Sequence, residues 1–193
     1  MFVKICGITN REDALAAIDA GARAIGFVFA DSPRRADPDA IAKWIEEVPK
    51  NVWRVGVFVN ETPAVIERIA TQLKLDIAQL HGAETPQQHP KNIRIWRAFR
   101  VKDKQADVPD YPAAEAILID GAPYDWSKAA GRFTRPVILA GGLNEANVSE
   151  AIKRATSKAF TPWAVDVSSG IEIKPGRKDH TRMKQFIQAA LRT

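Results

Sequence analysis

The sequence predicts a minimal (β/α)8 barrel, the TIM-barrel architecture, as a single domain over residues 1–193. Eight short apolar runs alternate with amphipathic stretches of helical period along the chain. Most of the runs are continuously apolar, which is typical of strands buried on both faces of a parallel sheet. At 193 residues, each of the eight units has roughly 24 residues, so several helices are expected to be short. The alternative is a doubly wound open sheet of five or six strands, in which two of the runs are not strands.

The predicted strands are rich in β-branched and aliphatic residues and are bounded by small or polar ones. They span residues 2–6, 24–29, 53–59, 77–80, 93–99, 116–119, 136–139 and 164–167. The predicted helices have apolar residues at helical spacing and span residues 12–20, 38–48, 63–73, 146–155 and 181–191. Weaker periodicity over residues 85–90, 102–112 and 126–132 predicts short or irregular helices there.

Helix start signals agree with these boundaries. Thr9 and Glu12 have the spacing of a capping box, and Asn10 is a second candidate for the N-cap of the first helix. Pro38 and Pro63 each lie where the first turn of a helix tolerates proline. These signals support the alternation of strands and helices in the first third of the chain.

Composition limits the class of protein. Of the residues, 46% are hydrophobic and 26% are charged, which supports a sizeable core and excludes a disordered or collagen-like chain. No apolar run approaches the ~20 residues of a membrane span, and the first residues do not resemble a signal peptide. The formal net charge is +5, but the basic residues are scattered, so we expect neither nucleic-acid nor membrane binding. A single cysteine allows no internal disulfide, which is consistent with a cytoplasmic protein.

Polar residues follow the predicted strands at their carboxyl ends. Cys6, His81, Asp120 and Asp166 all lie at or near the end of an apolar run. In parallel β/α folds these ends carry the active site, whichever of the two architectures holds. Polar turns explain part of this pattern, but they explain less well a thiol and carboxylates at the ends of buried strands. His81 and Asp166 are therefore candidates for a site, although each suits a structural hydrogen-bonding role equally well.

Two turns late in the chain contain glycine, namely Gly141-Gly142 and Ser168-Ser169-Gly170. Glycine lets backbone N–H groups approach a phosphate closely, and serine adds hydroxyl donors. Barrels commonly bind phosphate at the loops after strands seven and eight, which is where these turns fall. The pair of turns predicts a phosphate site.

Cys6 is the only thiol in the chain. The period of a strand places Lys4 and Cys6 on the same face. A nearby ammonium and the N-terminus of the following helix would both lower the pKa of the thiol, as a general base near neutral pH requires. The alternative is a small buried hydrophobe without chemistry.

Asp120 and Arg34 are candidates for two further roles. A carboxyl at the depth of Asp120 could act as a general acid if its pKa were raised, and a turn-forming Asp before Gly121 is the alternative. Arg34 could hold a substrate carboxylate through two parallel hydrogen bonds, although a solvated loop arginine fits the composition better. The three histidines and one cysteine have no metal-ligand spacing, so no metal site is expected.

Several short motifs run in order over nearly the whole chain, and together they are highly specific. They are KICGIT (residues 4–9), GFVF (26–29) leading to SPR (32–34), VGVFVN (55–60), QLHG (79–82), AGGL (140–143), and AVDVSSGIE (164–172) followed by PGRKD (175–179). In these motifs the chain resembles the phosphoribosylanthranilate isomerase family. The resemblance implies a (β/α)8 barrel that converts N-(5-phosphoribosyl)anthranilate into 1-(o-carboxyphenylamino)-1-deoxyribulose 5-phosphate by a cofactor-free Amadori rearrangement in tryptophan biosynthesis.

The resemblance also implies roles for the candidate residues. Cys6 resembles the general base that removes the proton from ribose carbon 2. Asp120 resembles the general acid that protonates the furanose ring oxygen, so that the ring opens to a Schiff base. Arg34 resembles the arginine that holds the anthranilate carboxylate, and His81 and Asp166 are expected to contact the substrate.

The phosphate grip of the family corresponds to the turns Gly141-Gly142 and Ser168-Ser169-Gly170. The chain departs from the family after Asp120, where relatives usually carry a longer glycine-rich loop ending in Phe-Asp-Trp. Here four residues, 121–124, separate Asp120 from Asp125-Trp126. If that loop is a lid, its shortening predicts a wetter site and lower turnover or weaker substrate binding than in relatives with the full loop.

Two other functions stay open on the sequence. Another phosphosugar barrel enzyme, such as an epimerase or a related synthase, would need a metal site or a catalytic Lys/Glu pair, for which the sequence offers no clear candidate. A non-catalytic binder of a phosphorylated ligand would need neither Cys6 nor Asp120. The expected partner is a small anionic phosphosugar, and the chain is expected to be a monomer or a homodimer.

Overall fold

Eight parallel strands close into a barrel in the order of the chain, because β1 pairs with both β2 and β8. The structure, a computed structural model, describes residues 1–101, 108, 111–121, 133–158 and 160–193, without the side chains of residues 157 and 158. The strands are β1 (Phe2–Ile5), β2 (Ala24–Val28), β3 (Trp53–Phe58), β4 (Ile77–Leu80), β5 (Arg94–Val101), β6 (Ala116–Gly121), β7 (Val137–Ala140) and β8 (Ala164–Val167). The predicted barrel is confirmed, and the open sheet is excluded by the β1–β8 pairing.

The described residues also form five α-helices and a short antiparallel ribbon. The helices are α1 (Arg11–Asp19), α2 (Pro38–Ala42), α3 (Pro63–Leu73), α4 (Val148–Lys158) and α5 (His180–Leu191). The ribbon pairs β9 (Glu172–Lys174) with β10 (Arg177–Lys178) in the segment between β8 and α5. Single 3-10 turns occupy Ile45–Glu47, Pro86–Gln88 and Ser169–Ile171. Among the described residues, no helix has the length and apolarity needed to cross a membrane.

Two local predictions were wrong. The helix predicted over residues 38–48 ends at Ala42 and is followed by the 3-10 turn Ile45–Glu47. Between them, Trp44 leaves the helical conformation and packs its ring edge-on against Phe27, with 5.9 Å between centroids. This packing outweighs the helical period of the sequence.

The capping box predicted for the first helix is wrong, and the second N-cap candidate, Asn10, is confirmed. Asn10 is the N-cap, and its side chain accepts a hydrogen bond from the backbone N–H of Asp13 at 2.8 Å. The hydroxyl of Thr9 instead donates to the carbonyl of Gly176 at 2.6 Å. Thr9 therefore fastens the ribbon between β9 and β10 to the loop after β1.

Apolar side chains fill two separate spaces around the strands. The outer faces of the strands pack against the helices in one large cluster. The inner faces fill the amino-terminal half of the barrel with a second, smaller cluster. At the amino end this cluster is closed by an aromatic group, which we call the aromatic plug, formed by Phe2, Trp53, Trp96 and Trp163. Polar side chains are consequently concentrated at the carboxyl end, where the strands open into a cavity.

Candidate active site

A cavity of about 480 Å³ opens at the carboxyl ends of the barrel strands. Every residue that the sequence predicted for the site lines this cavity: Cys6, Arg34, His81, Asp120, Gly141, Gly142, Asp166, Ser168, Ser169 and Gly170. Cys6 follows β1, while Asp120 lies on β6, so β7 and β8 separate the thiol from the carboxyl around the mouth. One space therefore contains a candidate base, a candidate acid and two glycine-containing turns.

The floor of the cavity beside Cys6 is charged. Lys4 is completely buried inside the barrel, and its Nζ lies 2.9 Å from Oδ1 of Asp166, the residue paired with it across β1 and β8. Gly26 on β2 leaves the room for this arrangement. A Cβ at position 26 would lie 2.9 Å from the sulfur of Cys6 and 3.2 Å from Nζ of Lys4.

The thiol is not activated in the direction that the sequence predicted. Burial raises the pKa of Cys6, since the thiolate loses its hydration. The Lys4 ammonium lowers that pKa, but Asp166 raises it again, and the net shift is upward. Burial would lower the pKa of Lys4, yet Asp166 and Cys6 outweigh it and raise that pKa above its usual value. The expectation of a lowered thiol pKa is therefore wrong, because burial outweighs the ammonium.

Asp120 lies beside a histidine and an arginine. Nε2 of His81 is 3.4 Å from its Oδ2, and Nε of Arg100 is 3.7 Å from the same oxygen. The His81 contact is close but not aligned as a hydrogen bond, and no described residue satisfies that buried nitrogen. Asp120 thus presents a partly exposed carboxyl to the cavity, with a histidine and an arginine beside it.

Arg34 has a partner that sequence reasoning missed. Its guanidinium donates to Glu172 through Nε, at 2.9 Å from Oε1, and through Nη2, at 2.7 Å from Oε2. Glu172 also accepts from Nζ of the buried Lys178 at 2.9 Å. Burial would raise the pKa of Glu172, but hydrogen bonds from Arg34 and Lys178 outweigh it and hold the pKa below its usual value. The loop arginine is therefore fixed against the ribbon rather than loose in solvent.

The two glycine-containing turns lie where backbone passes close to backbone. A Cβ on Gly141 would lie 1.9 Å from the carbonyl oxygen of Gly121, and one on Gly170 would lie 1.8 Å from that of Leu143. Side chains at these positions are thus excluded. The carbonyl oxygen of Gly170 accepts from Arg182 at 2.6 Å, so this oxygen, which would repel an anion, is already bound.

Gln79 also lines the cavity, although the sequence did not predict it for the site, and so does Arg100, one of the polar residues that follow the apolar runs. Gln79 is 2% exposed, and no described residue hydrogen-bonds its buried Oε1. Gln79 precedes His81 by two residues, so the period of the strand places both side chains on the same face. This spacing could have predicted Gln79 as a residue of the site. Arg97 also follows the pattern of polar strand ends but does not line the cavity.

Arg97 instead donates hydrogen bonds to the end of β4 and to the loop that follows it. It donates to the carboxylate of Glu84 at 2.7 Å and to the carbonyl oxygens of Leu80 at 3.1 Å and Gly82 at 2.7 Å. These carbonyls flank His81 in the chain. Arg97 therefore holds the backbone on both sides of a cavity residue without touching the cavity.

Part of the predicted site falls outside the described residues. The shortened loop after Asp120, over residues 122–126, lies there, as do the irregular helix predicted over 126–132 and all but residues 108, 111 and 112 of the one predicted over 102–112. Within the part of the chain that the structure describes, His, Cys, Asp and Glu side chains form no group of three or more that could hold a metal ion.

Comparison with known proteins identifies relatives over the whole chain. Residues 3–189 match the family model of N-(5'phosphoribosyl)anthranilate (PRA) isomerase. The N-(5'-phosphoribosyl)anthranilate isomerase of Geobacter sulfurreducens is 44% identical over 202 residues, covering 97% of this chain and 97% of the relative. That of Solibacter usitatus is 44% identical over 203 residues, covering 98% and 97%.

Solved structures give the same result. A crystal structure of phosphoribosyl anthranilate isomerase in complex with reduced 1-(o-carboxyphenylamino)-1-deoxyribulose 5-phosphate has a TM-score of 0.85 and 39% identity over 100% of both chains. The Thermus thermophilus isomerase has a TM-score of 0.88 and 35% identity over 100% of this chain and 99% of that one. Monomers generated from the dimeric Thermotoga maritima isomerase have a TM-score of 0.81 and 37% identity over 99% of this chain and 98% of that one. This chain belongs to the N-(5'-phosphoribosyl)anthranilate isomerase family.

Proposed function

We propose that this chain isomerises N-(5-phosphoribosyl)anthranilate to 1-(o-carboxyphenylamino)-1-deoxyribulose 5-phosphate, with Cys6 as general base and Asp120 as general acid. The observation that carries the proposal is the placement of both residues in one cavity, together with the glycine-containing turns. Acid and base must act on different parts of one sugar, which has to be held at both anionic ends. The cavity lining contains an arginine, Arg34, and both glycine-containing turns, so it has candidate donors for both anionic groups.

In this scheme the reaction begins at Asp120. Its carboxyl gives a proton to the furanose ring oxygen, the bond from that oxygen to carbon 1 breaks, and carbon 1 becomes a Schiff base with the anthranilate nitrogen. The Cys6 thiolate then takes the proton from carbon 2, and the electron pair moves toward the positive nitrogen. The resulting enol-amine becomes the ketone when carbon 1 gains a proton and the hydroxyl on carbon 2 loses one, so no oxidant or reductant is needed.

Cys6 depends on Lys4 in this proposal. When the pKa of a thiol is raised, its thiolate is a stronger base, but a smaller fraction of the molecules carries the thiolate at neutral pH. Lys4 is completely buried beside it and lowers the thiol pKa. We therefore propose that Lys4 lowers the free-energy cost of forming the Cys6 thiolate. Asp166 in turn accepts a hydrogen bond from Nζ of Lys4 at 2.9 Å.

The remaining site residues hold the substrate. Arg34 binds the anthranilate carboxylate, and the turns Gly141-Gly142 and Ser168-Ser169-Gly170 bind the phosphate, with serine hydroxyls and backbone N–H groups as donors. His81 lies beside Asp120 and is placed to contact the sugar at the acid side.

The partner in this proposal is a small anionic phosphosugar, bound by a monomer or a homodimer. A cytoplasmic location belongs to the same proposal, because the scheme needs Cys6 as a free thiol and a reducing compartment preserves it.

The test is an assay of the isomerisation itself. N-(5-phosphoribosyl)anthranilate is formed in place from anthranilate and phosphoribosyl pyrophosphate by a phosphoribosyltransferase, and the decay of its fluorescence is followed. We expect rapid decay with the wild-type chain and almost none above background with Cys6→Ala or Asp120→Asn. A wild-type rate no higher than those of the two variants would refute the proposal.

A further inference from the structure

We propose that Glu172 is a positioning residue for Arg34. It occupies one edge of the guanidinium, so that the other edge is held ready for the aryl carboxylate of the ligand. The inference rests on the proposed function, since it names the group that gives Arg34 its orientation there. It accounts for a motif that the catalytic scheme leaves unused, the stretch from Glu172 to Lys178.

The first observation is how the five N–H groups of Arg34 are divided. Nε and Nη2 both donate to the Glu172 carboxylate, at 2.9 Å to Oε1 and 2.7 Å to Oε2. This is the side edge of the planar guanidinium. The end edge, formed by Nη1 and the second hydrogen of Nη2, stays available, and no described residue accepts a hydrogen bond from Nη1. A second carboxylate can therefore bind end-on while Glu172 keeps its place.

The second observation is the burial and charge of the group behind Arg34. The side chains of Glu172 and Lys178 are 4% and 0% exposed, whereas that of Arg34 is 23% exposed and lines the cavity. Lys178 donates to Oε1 of Glu172 at 2.9 Å and to the carbonyl of Ser168 at 3.2 Å. Arg34 and Lys178 thus share the single negative charge of Glu172, which leaves one positive charge in excess. Only Arg34 of these two cations lines the cavity, so the excess positive charge faces the ligand there. That arrangement favours an anionic ligand group at this wall.

The third observation is that Glu172 is itself held in place. It begins β9, and its register partner in the ribbon is Lys178 on β10. The backbone N–H of Lys178 donates to Asp13 at 2.9 Å, and Thr9 donates to Gly176 in the turn of the ribbon at 2.6 Å. The ribbon is therefore anchored to the loop after β1. Because the ribbon holds the Glu172 carboxylate in place, Glu172 can orient Arg34 before the ligand binds. Arg34 then loses less conformational entropy when the ligand binds.

The test compares two ligands that differ only in the carboxylate. Reduced 1-(o-carboxyphenylamino)-1-deoxyribulose 5-phosphate and its counterpart made with aniline are titrated calorimetrically into the wild type and into Glu172→Gln, which keeps the shape of the side chain. We expect the variant to bind the carboxylated ligand about tenfold more weakly, the size of one lost charge-assisted hydrogen bond. The ligand without the carboxylate should bind within about twofold of wild type.

The matched control is Glu47→Gln. Glu47 also holds an arginine, Arg11, through two hydrogen bonds, but both residues are exposed and neither lines the cavity. This variant should bind both ligands as the wild type does. In Arg34→Met, adding Glu172→Gln should cause no further loss for the carboxylated ligand, because the orienting residue has nothing left to orient.

Equal weakening of both ligands by Glu172→Gln would overturn the inference, since it would indicate a general structural role. Unchanged binding of the carboxylated ligand, or additive losses with Arg34→Met, would overturn it as well. If circular dichroism shows Glu172→Gln to be unfolded, Glu172→Asp replaces it, because the shorter side chain keeps the charge but withdraws the carboxylate from the Arg34 guanidinium, and the same selective loss is expected. A wild type that binds the carboxylated ligand but does not turn over the substrate would refute the proposed function alone.

Discussion

The two ends of the barrel are filled with opposite kinds of side chain. At the amino end the aromatic plug packs rings against rings, with Phe2 and Trp163 stacked at 4.6 Å and Trp53 and Trp96 at 6.0 Å between centroids. At the carboxyl end the same strands carry a buried ammonium, a thiol and carboxylates around a cavity. Burying rings favours folding, whereas burying charges costs solvation energy that only partners offset. The comparison indicates that, inside the barrel, apolar packing is concentrated at the amino end and reactive groups at the carboxyl end.

The largest effect is expected from the carboxyl end, on activity. Replacing Cys6 by Ala or Asp120 by Asn should lower kcat/KM by roughly a thousandfold, within the range for loss of a general acid or base. Thermal unfolding should change by no more than a few degrees, because neither substitution removes much packing. Fluorescence assays and melting curves on the same samples check this. A variant that keeps its activity but loses stability would reverse the assignment of the two ends.

The next effect is expected from the amino end, on stability. Trp96 is 1% exposed, so Trp96→Ala should lower the free energy of unfolding by about 3–5 kcal/mol. Urea denaturation measures this loss, and Trp96→Phe, which keeps a ring in the plug, should lose less. Activity per folded molecule should stay near wild type for both. A large fall in kcat/KM at full folding would show that the plug also shapes the site.

Gly26 on β2 and Gly56 on β3 allow the inner and outer faces of two neighbouring strands to be compared. A Cβ at Gly26 would press on Cys6 and Lys4 inside the barrel, whereas one at Gly56 would press on Leu75 and Phe58 outside it. Gly26→Ala should therefore lower kcat/KM by about tenfold through displacement of the catalytic side chains. Gly56→Ala should mainly lower the melting temperature, through overpacking. Similar losses of activity in both variants would contradict the separation of inner and outer faces.

The smallest effect concerns the titration of Cys6. Its pKa is raised by burial, lowered by Lys4 and raised by Asp166. Alkylation of Cys6 by iodoacetamide should therefore begin at higher pH than for an ordinary thiol. Lys4→Met should move the profile to still higher pH, and Asp166→Asn should move it to lower pH. Lys74→Met, which removes an exposed ammonium, is the control and should leave the profile unchanged. Shifts of the same sign in Lys4→Met and Asp166→Asn would contradict this charge arrangement.

Much of the fold could be predicted from the sequence, because strand burial is a local pattern. The boundaries of β4, β8 and α3 coincide with the predicted ones, since continuous apolar runs and a strong helical period leave little choice. The break after Ala42 could not be predicted, because it depends on where Trp44 meets Phe27.

The residues that line the site could be predicted from the sequence, but the Arg34–Glu172 pair and the direction of the Cys6 pKa shift could not. The residues at strand ends converge by topology, so placing them needed only the barrel. The pair of Arg34 and Glu172 joins positions 138 residues apart, and no periodicity relates them. The pKa of Cys6 shifts upward because burial outweighs a neighbouring charge, and the depth of burial is known only once the chain is folded.

The close approaches at Gly141 and Gly170 bring the end of β6 and the turns after β7 and β8 into direct backbone contact. The turn after β7 packs against the backbone of Gly121, which directly follows Asp120, and the turn after β8 packs against that of Leu143. A displacement of one of these segments is therefore expected to shift the next. Re-engineering the turns proposed to bind phosphate, so that they accept another sugar, is therefore expected to move Asp120 as well, and ligand preference and the proposed proton transfer should change together.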